Sequence, residues 1–458
     1  MKQVLAAFLL AALLSTQAVT QSTRSPASLD SNRRDSNGHD SNGRASGGHK
    51  QSQQDLYAPR PKPETYRDVV AANNRFAIDF FKATFEETPD KNILTAPASL
   101  SYAFGLLMNG ARGTGRDQIA AAFHLADIPP EQINQGNAVL WSIRQSHEVK
   151  QSDLQPSSVK HPHAEFLGEI GADGRTFQPY IMASAMWVPN HLFTPSFQAI
   201  NSGVYKLRHF SQFPTASAIN EWSSQVTHGK ITAIVDDVSK EDFILATVTY
   251  FNSRWADPFS PGKTHDGDFT LLSGEKKRVP LMVQAREFEY LRGDSFQAVT
   301  LHLHDAAMMI FLPDEDSSLQ AFVASLTPDK WSEWTRQFAR KEGHLELPRF
   351  EVNQERDTKS VLKKMGLTSL FSDYSTFVPM VGARGAVLTR LQEGASMKVD
   401  EVGAEVTSYG VVGGVIGGVC GNCPQPEPFK MIMNRPFFVA VIDTRTNETL
   451  YLGGIVEP

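Results

Sequence analysis

The sequence has very little cysteine: its 458 residues include only two, Cys420 and Cys423. Two cysteines cannot build a framework of several disulfides, and they cannot supply the four thiolates of a structural zinc site. They form a C-x-x-C motif, which in redox enzymes lies at a helix start within a thioredoxin-like unit. Nothing in the sequence indicates such a unit, so we expect a small loop disulfide between Cys420 and Cys423.

An excess of positive charge and repeated long apolar runs are also missing. There are 44 Lys and Arg against 50 Asp and Glu, which gives a formal net charge of −6 and a pI of about 6.1. Binding nucleic acid by neutralising phosphates requires the opposite balance, so no nucleic-acid partner is expected. The one long apolar run, residues 4–14, excludes a multispanning membrane protein.

Recognisable catalytic motifs are absent as well. The chain has no G-x-S-x-G turn, no H-E-x-x-H and no phosphate-binding P-loop. His302, His304 and Asp305 lie on or beside a predicted strand, where exposed polar residues explain them better than metal ligands do. We therefore expect no enzyme activity, no cofactor and no metal site.

The first 63 residues have the composition of segments that lie outside a folded domain. Lys2 precedes the apolar run and small residues surround Ala18, so residues 1–18 are predicted to be a secretory signal peptide. The alternative, an uncleaved anchor, would need about 20 apolar residues. Residues 19–63 are rich in Ser, Asn, Gly and Asp and are expected to be disordered. The sequence thus predicts a secreted, extracellular protein without a membrane anchor.

Residues 64–458 are predicted to be one domain, with a surface insertion at 151–177. Apolar spacing predicts a helix over 64–85, a second helix from Ser99 as N-cap to Met108 with Gly110 past its end, and a third over 129–146. The strands are predicted over 180–188, 243–251, 306–312, 437–442 and 450–456. The pattern indicates an α+β fold, with helices packed on large mixed or antiparallel sheets.

An uncharged segment near the C-terminus is the least usual feature of the chain. The 21 residues 406–426 carry no charge, and six of them are glycine. As a strand, the alternate residues from Ala404 to Ile416 would form one small or apolar face that could be buried. The sequence alone leaves two interpretations open, a strand held in reserve and a flexible glycine-rich loop.

The domain as a whole resembles the serpins, the serine-protease-inhibitor family. Nine short motifs follow one another in the family's order across nearly all of residues 64–458; each is weak alone, and their order makes the match specific. The motifs are NILTAPAS at 92–99, NGARGT at 109–114, IN with THGKI within 219–231, YF with PF within 250–259, VPLM at 279–282, LPRF at 347–350, MGL with F within 365–371, NRPF at 434–437 and GGIV with P within 453–458.

The resemblance implies a mechanism for the uncharged segment. In serpins a protease cleaves this reactive-centre loop as a substrate, and the freed loop inserts as a strand into the main sheet, dragging along the covalently attached protease. The hinge residues implied here are Glu401, Gly403, Ala404, Glu405 and Val406. The implied protein is a monomeric suicide-substrate inhibitor whose partner is a serine protease, held in a covalent acyl complex.

Several residues depart from the family pattern. Val402 stands where the family has a second glutamate, Val406 opens a run that is usually rich in alanine, and Glu393 replaces a histidine of the region where the sheet opens. Thr247 stands where an asparagine is common. These departures leave a second function open, that of a non-inhibitory serpin which carries a ligand or acts as a chaperone.

The family's spacing from the hinge puts the reactive-site bond between Gly417 and Gly418, whereas counting back from Asn434 puts it within residues 421–426. No Lys or Arg lies between Val406 and Phe429. Trypsin-like proteases, whose pocket needs a basic residue, are therefore not expected as targets. Elastase- or subtilisin-like proteases are expected instead. One N-glycosylation sequon occurs, at Asn447.

Overall fold

The computed structural model describes residues 64–145, 180–188, 193–238, 243–251, 253–303, 306–404 and 427–458. All of them belong to one compact unit, Pro61–Pro458. The predicted signal peptide, residues 19–63, the insertion at 151–177 and the segment 405–426 lie outside the described residues. Within them, helices pack on two large sheets, so the predicted α+β fold is confirmed.

Ten α-helices occur in the described residues, most of them in the first half of the chain. They are α1 (Glu64–Phe85), α2 (Pro97–Gly110), α3 (Gly113–Ala122), α4 (Pro130–Gln145), α5 (Pro195–Ile200), α6 (Ala216–Val226), α7 (Leu319–Ser325), α8 (Pro328–Trp334), α9 (Lys359–Lys364) and α10 (Val378–Val381). The bounds of α1 agree with the prediction, because its phenylalanines recur every three to four residues and are buried against the core.

The predicted N-cap of α2 is three residues too late, and its predicted end is two residues too early. The helix begins at Pro97 with Ala96 as its N-cap, and it includes Gly110. Proline has no N–H to satisfy and its fixed φ suits the first helical position, so Pro97 starts the helix without a side-chain cap. Ser99 lies inside the first turn, where its hydroxyl donates to the carbonyl oxygen of Ala96 at 2.9 Å.

Sixteen strands occur in the described residues. They are β1 (Ile93–Thr95), β2 (Tyr180–Trp187), β3 (Arg208–Phe210), β4 (Ile244–Phe251), β5 (Ser253–Arg254), β6 (His265–Thr270), β7 (Lys276–Arg292), β8 (Phe296–His302), β9 (Ala306–Pro313), β10 (Ala339–Pro348), β11 (Phe350–Asp357), β12 (Arg390–Val399), β13 (Gly403–Ala404), β14 (Phe429–Ile432), β15 (Phe437–Asp443) and β16 (Thr449–Ile455). All five predicted strands are present, each within one residue of its predicted ends.

The strands form two large sheets and one small ladder. The first sheet has five strands in the order β11-β12-β4-β2-β3, and the second has nine, in the order β1-β16-β15-β9-β8-β7-β10-β14 with β6 beside β7. Strands β5 and β13 form a separate two-stranded ladder. Both large sheets are mixed, because β12 is parallel to β4 and β14 is parallel to β10.

The five-stranded sheet is covered on both faces, which explains why β4 is buried along its whole length. The side chains of Ile244, Ala246 and Val248 pack against α6 and the segment that follows it; we call this the front face. Leu245 points the other way, into the core around α2, which we call the back face. A strand buried on both faces shows no polar alternation, in keeping with the apolar and β-branched residues of 243–251.

Candidate functional site

Strands β4 and β12 lie side by side in the middle of the five-stranded sheet and are parallel. Their ladder runs from Arg390 opposite Ile244 to Ser396 opposite Tyr250. We call this junction the seam. If two parallel neighbouring strands separate, one antiparallel strand can enter between them and pair with both. Strand β12 is also the strand from which the uncharged loop departs.

A tight turn at the end of β12 holds the predicted hinge. The side chain of Asp400 accepts hydrogen bonds from the backbone N–H groups of Val402 at 2.9 Å and Gly403 at 3.3 Å, and its own N–H donates to the Gly403 carbonyl. Buried Trp255 fixes the turn from outside: its indole N–H donates to the Asp400 carbonyl and its backbone N–H to that of Val402. The turn is therefore well ordered by local hydrogen bonds.

Glu401 anchors the hinge through a charge-assisted contact with Arg349. The guanidinium Nε of Arg349 donates to both carboxylate oxygens at 2.9 Å, and the hydroxyl of Thr264 donates to Oε1 at 2.6 Å. Burial alone would raise the pKa of Glu401, but these hydrogen bonds outweigh it and hold the pKa below its ordinary value. Glu401 is thus held as a carboxylate, fixed to the start of β11.

The chain after this turn already runs antiparallel to the continuation of β4. In the β5–β13 ladder Gly403 lies opposite Arg254 and Ala404 opposite Ser253. A Cβ atom at Gly403 would lie 2.3 Å from the Ser253 carbonyl oxygen, so only glycine allows this approach. The φ of Gly403 is not in the left-handed region, so close backbone contact, and not conformational freedom, is what requires glycine here.

The far end of the loop is anchored by Phe429 at the start of β14. Its ring stacks on Tyr290 with centroids 4.2 Å apart and meets Phe288 edge-on. In the parallel ladder with β10 it lies opposite Gly343, where a Cβ atom would come too close to the ring. Phe429 is buried although it follows a segment that begins at Glu427, which is exposed.

The structure describes the predicted hinge only as far as Ala404. Of the predicted site residues, Glu401, Gly403 and Ala404 are placed together at the hinge. Glu405 and Val406, the predicted reactive-site pair Gly417 and Gly418, and the cysteines Cys420 and Cys423 lie outside the described residues. Their roles stay predictions. Sequence reasoning missed the partners Thr264 and Arg349, because only the fold brings them to the hinge, and it did not indicate the turn that Asp400 closes.

A row of polar side chains crosses the seam on the back face. Arg356 of β11, Glu393 of β12, Thr247 of β4 and Ser184 of β2 are paired in register across four strands. We call these four residues the polar row. Each has a buried polar atom that finds no hydrogen-bond partner among the described residues, namely Arg356 Nη1, Glu393 Oε2, Thr247 Oγ1 and Ser184 Oγ. Such groups cost about 1–3 kcal/mol each, so the sheet is weakened where it crosses the seam.

Glu393 is the only carboxylate of the polar row and is completely buried. Its Oε1 accepts a hydrogen bond of 2.8 Å from the backbone N–H of Ala96, the N-cap of α2. Burial raises the pKa of Glu393, although the Ala96 hydrogen bond and the charge of Arg356 act in the opposite direction. The sequence shows that Glu393 replaces the family's histidine, but it does not show that the side chain is completely buried.

The front of the seam is covered by the segment after α6. A Cβ atom at Gly394 would lie 3.0 Å from Ile234, so this segment lies directly over β12. Beside it a cavity of about 330 Å³ opens between the same segment and strands β4, β11 and β12. Its walls carry both Lys230 and Lys398 and both Glu351 and Glu355, so their charges select neither an anionic nor a cationic ligand.

Asn447 is exposed in the turn between β15 and β16, with a left-handed φ of 58°, and its glycosylation stays a prediction. His302 pairs with Glu289 at 3.3 Å, while His304 and Asp305 lie outside the described residues. A search of the described residues finds no cluster of three side chains suited to a metal ion. In the same residues, no helix combines the length and apolarity needed to cross a membrane.

Comparison with known proteins identifies the family to which this arrangement of strands and hinge belongs. A sequence model described as "Serpin (serine protease inhibitor)" matches residues 71–458. The chain belongs to the serpin family. Among curated relatives, human serpin B3 is 25% identical over 84% of this chain and 98% of its own. The leukocyte elastase inhibitors of Sus scrofa and Bos taurus are 26% and 27% identical over 85% of this chain and 99% of their own.

Solved serpin structures agree with the fold. The native-state structure of tengpin, a thermophilic serpin, superposes with a TM-score of 0.71 at 20% identity and covers 88% of this chain and 96% of its own. Human thyroxine-binding globulin, solved with its hormone, gives a TM-score of 0.71 at 21% identity, with 86% and 99% covered. At these identities the structural likeness supports the serpin fold, and the function has to be argued from the site of this chain.

Proposed function

We propose that this serpin is a secreted suicide-substrate inhibitor of serine proteases. Cleavage of the loop would release the chain after the hinge, which would enter the seam as a new strand between β4 and β12. The protease, still attached as an acyl-enzyme, would be carried along the sheet and distorted. About 14 residues of new strand at roughly 3.3 Å each correspond to a displacement of about 45 Å.

The observation that carries this proposal is the short β5–β13 ladder. Ala404 already pairs with Ser253 in the orientation that an inserted strand requires. Continuing the same register along β4 would bring Val406 opposite Phe251 and Gly410 opposite Thr247. Directly paired residues point to the same face of a sheet, so the even-numbered loop residues would follow Leu245 to the back face.

The composition of the loop fits this register. The even-numbered residues from Ala404 to Ile416 are small or apolar, so their burial on the back face would leave no unpaired charge there. Glu405 is odd-numbered and would face forward. The insertion would also add ladder hydrogen bonds on both sides of the new strand, which the loop cannot form outside the sheet.

The target class follows from the loop sequence rather than from the relatives. Between Val406 and Phe429 the residues are small, aliphatic or polar, with no Lys or Arg. Elastase- and subtilisin-like enzymes bind such residues, and trypsin-like enzymes require a basic one. The leukocyte elastase inhibitors are relatives whose names agree with this expectation. We place the scissile bond between Gly417 and Gly418.

The test is to incubate the protein with elastase, subtilisin and trypsin and to separate the products after boiling in detergent. We expect a covalent band with elastase or subtilisin, and sequencing of the released C-terminal peptide should start at Gly418. Clean cleavage without a covalent band would contradict inhibition and favour the non-inhibitory carrier or chaperone function.

The variant Ala404→Arg separates the loop's role as a protease substrate from its insertion into the sheet. The arginine would have to be buried on the back face without a partner, so insertion should stall while cleavage continues. We expect the covalent band to be lost and the cleaved product to remain. A variant that forms the complex with the wild-type yield would show that insertion is not the mechanism here. The control is Glu405→Gln, which changes charge on the opposite face.

A further inference from the structure

The polar row places an ionisable group in the seam that the proposed insertion has to open. Glu393 is completely buried, its Oε1 is held by the N–H of Ala96, and its Oε2 finds no partner among the described residues. The residue directly across the seam is Thr247, whose hydroxyl is also buried and without a partner in the described part of the chain. A buried carboxyl group of this kind is far easier to accommodate as a neutral acid than as a carboxylate.

Few other charges surround Glu393 in the described structure. From β11 it faces Arg356, which lies beside it in the row but does not form an ion pair with it. Arg356 also interacts electrostatically with Glu87, in the turn after α1, and Glu87 is itself paired with Lys364 of α9 at 2.9 Å. The facing residues of β4 and of the α2 N-terminus, Thr247 and Ala96, carry no titratable group. Arg356 is thus the one charge that favours ionisation of Glu393, and burial opposes it.

Opening of the seam would change these surroundings. If β4 separates from β12, water reaches Oε2 and the cost of a charge falls. The register of the β5–β13 ladder then brings Gly410, which has no side chain, between Thr247 and Glu393. The inserted strand would therefore leave open space beside the carboxyl group of Glu393. A residue larger than glycine at position 410 would fill that space.

We propose that Glu393 is a proton-controlled latch: as a neutral acid it keeps β4 and β12 paired, and as a carboxylate it favours their separation. This inference rests on the proposed function for its biological meaning, because the same separation admits the loop. The latch makes loop insertion easier at neutral than at mildly acidic pH.

The direction of the pH dependence of seam opening follows from proton linkage. Burial raises the pKa of Glu393 in the closed sheet above its value in the open sheet. The closed state therefore binds the proton more tightly, and its extra stability is present at low pH and is lost as the pH rises through the closed-state pKa. Between the two pKa values the opening constant should increase about tenfold per pH unit, and above the closed-state pKa it should level off.

The experiment measures opening in the intact full-length protein, without a protease. Amide hydrogen exchange of β4 and β12 is followed at several pH values and corrected for the intrinsic pH dependence of exchange. We expect the tenfold-per-unit slope in the wild type and no slope in Glu393→Gln, whose amide oxygen can still accept from Ala96. Glu351→Gln, an exposed position on neighbouring β11, is the matched control and should keep the wild-type slope.

A second variant keeps the latch testable if Glu393→Gln does not fold. Glu393→His introduces a group that is neutral when buried and becomes charged in acid, so the slope should reverse and opening should increase as the pH falls. Equal slopes in wild type and Glu393→Gln, or an unchanged sign in Glu393→His, would overturn the latch.

The latch and the proposed function fail in different ways. If no protease gives a covalent complex at any pH but the exchange slope is present, the inhibitor function is wrong and the latch remains. If complexes form and the slope is absent, the inhibitor function remains and the latch is wrong.

Discussion

At the scale of single residues, the hinge and the polar row hold their carboxylates in opposite ways. Glu401 is buried together with hydrogen-bond donors from Arg349 and Thr264, which keep its pKa low. Glu393 is buried with a single backbone donor, and its pKa is raised. Acid should therefore loosen the hinge and tighten the seam, although both residues are glutamates of the same strand or its adjoining turn.

The hinge contact predicts an acid-dependent loss of stability. Because the pKa of Glu401 is lowered, its contribution is present above the ordinary glutamate pKa and is lost as the pH falls through the folded pKa. We expect Glu401→Gln to lower stability by about 1 kcal/mol at pH 7, a modest value because the Arg349 side chain is 46% exposed. Melting scans of both proteins from pH 7 to 3 should converge in acid; parallel curves would contradict the prediction.

The choice of Gly417 as the residue before the scissile bond predicts a switch of target. Gly417→Arg should make the protein a substrate and inhibitor of trypsin-like enzymes, because their pocket binds a basic side chain. We expect the variant to fold normally, since Gly417 lies in the predicted reactive-centre loop. The measurement is the covalent band with trypsin, compared with Val419→Arg as the matched control. Stronger inhibition by the control would move the bond toward the C-terminus.

At the scale of elements, the seam is closed from the front by the segment after α6. In the strand that the sequence allows, Tyr409 belongs to the face opposite the even-numbered residues, where solvent would accommodate its side chain. In the register of the β5–β13 ladder it would instead lie opposite Val248, on the face that α6 and Ile234 cover. The covering segment must therefore move before a strand that carries a tyrosine can enter, which the sequence pattern did not indicate.

This crowding predicts a gain from a smaller side chain. Tyr409→Thr should lower the number of inhibitor molecules consumed per protease inactivated, because insertion would compete better with release of the cleaved product. Thr suits a strand and keeps a polar group, so the loop should still be cleaved normally. The stoichiometry of inhibition is the readout, with Thr407→Ser as the control. An increase in stoichiometry for Tyr409→Thr would show that the front face does not limit insertion.

At the scale of the whole molecule, the described sheet leaves the seam closed and the polar row incompletely satisfied. The proposed mechanism requires that this native state lie above the most stable arrangement of the chain and persist because strand separation is slow. In that mechanism the fold would be both the scaffold of the loop and the source of the energy that insertion uses.

The whole-molecule prediction is a rise in melting temperature after the loop is cut. The inserted strand would gain ladder hydrogen bonds on both sides and would bury Val406, Val412 and Ile416, each worth about 1.5–3 kcal/mol when fully buried. Its glycines oppose this by about 0.5–1 kcal/mol each. Melting scans before and after limited proteolysis within residues 410–426 measure the change. An unchanged or lower midpoint would argue against insertion, and the Ala404→Arg variant should show no rise.

Much of the element structure could be predicted from the sequence, because it depends on local periodicity. Helix α1, the fully buried strand β4 and the C-terminal pair β15 and β16 have apolar patterns that few other structures accommodate. The order of the motifs identified the family, and the absence of charge in residues 406–426 indicated a segment that could be buried. Composition excluded a disulfide framework and a multispanning membrane protein.

Tertiary structure alone decided which residues meet at the hinge and in the seam. Arg349 reaches Glu401 only because β11 adjoins β12, and Glu393 faces Ala96 and Thr247 only because α2 and β4 pack on its strand. The close approach of Gly403 to the Ser253 carbonyl likewise depends on the fold and is not visible in the sequence. Local sequence patterns record the period of a segment and the chemistry of its residues. Burial, pKa and close approach depend on neighbours that are distant along the chain, and these are set only when the sheets assemble.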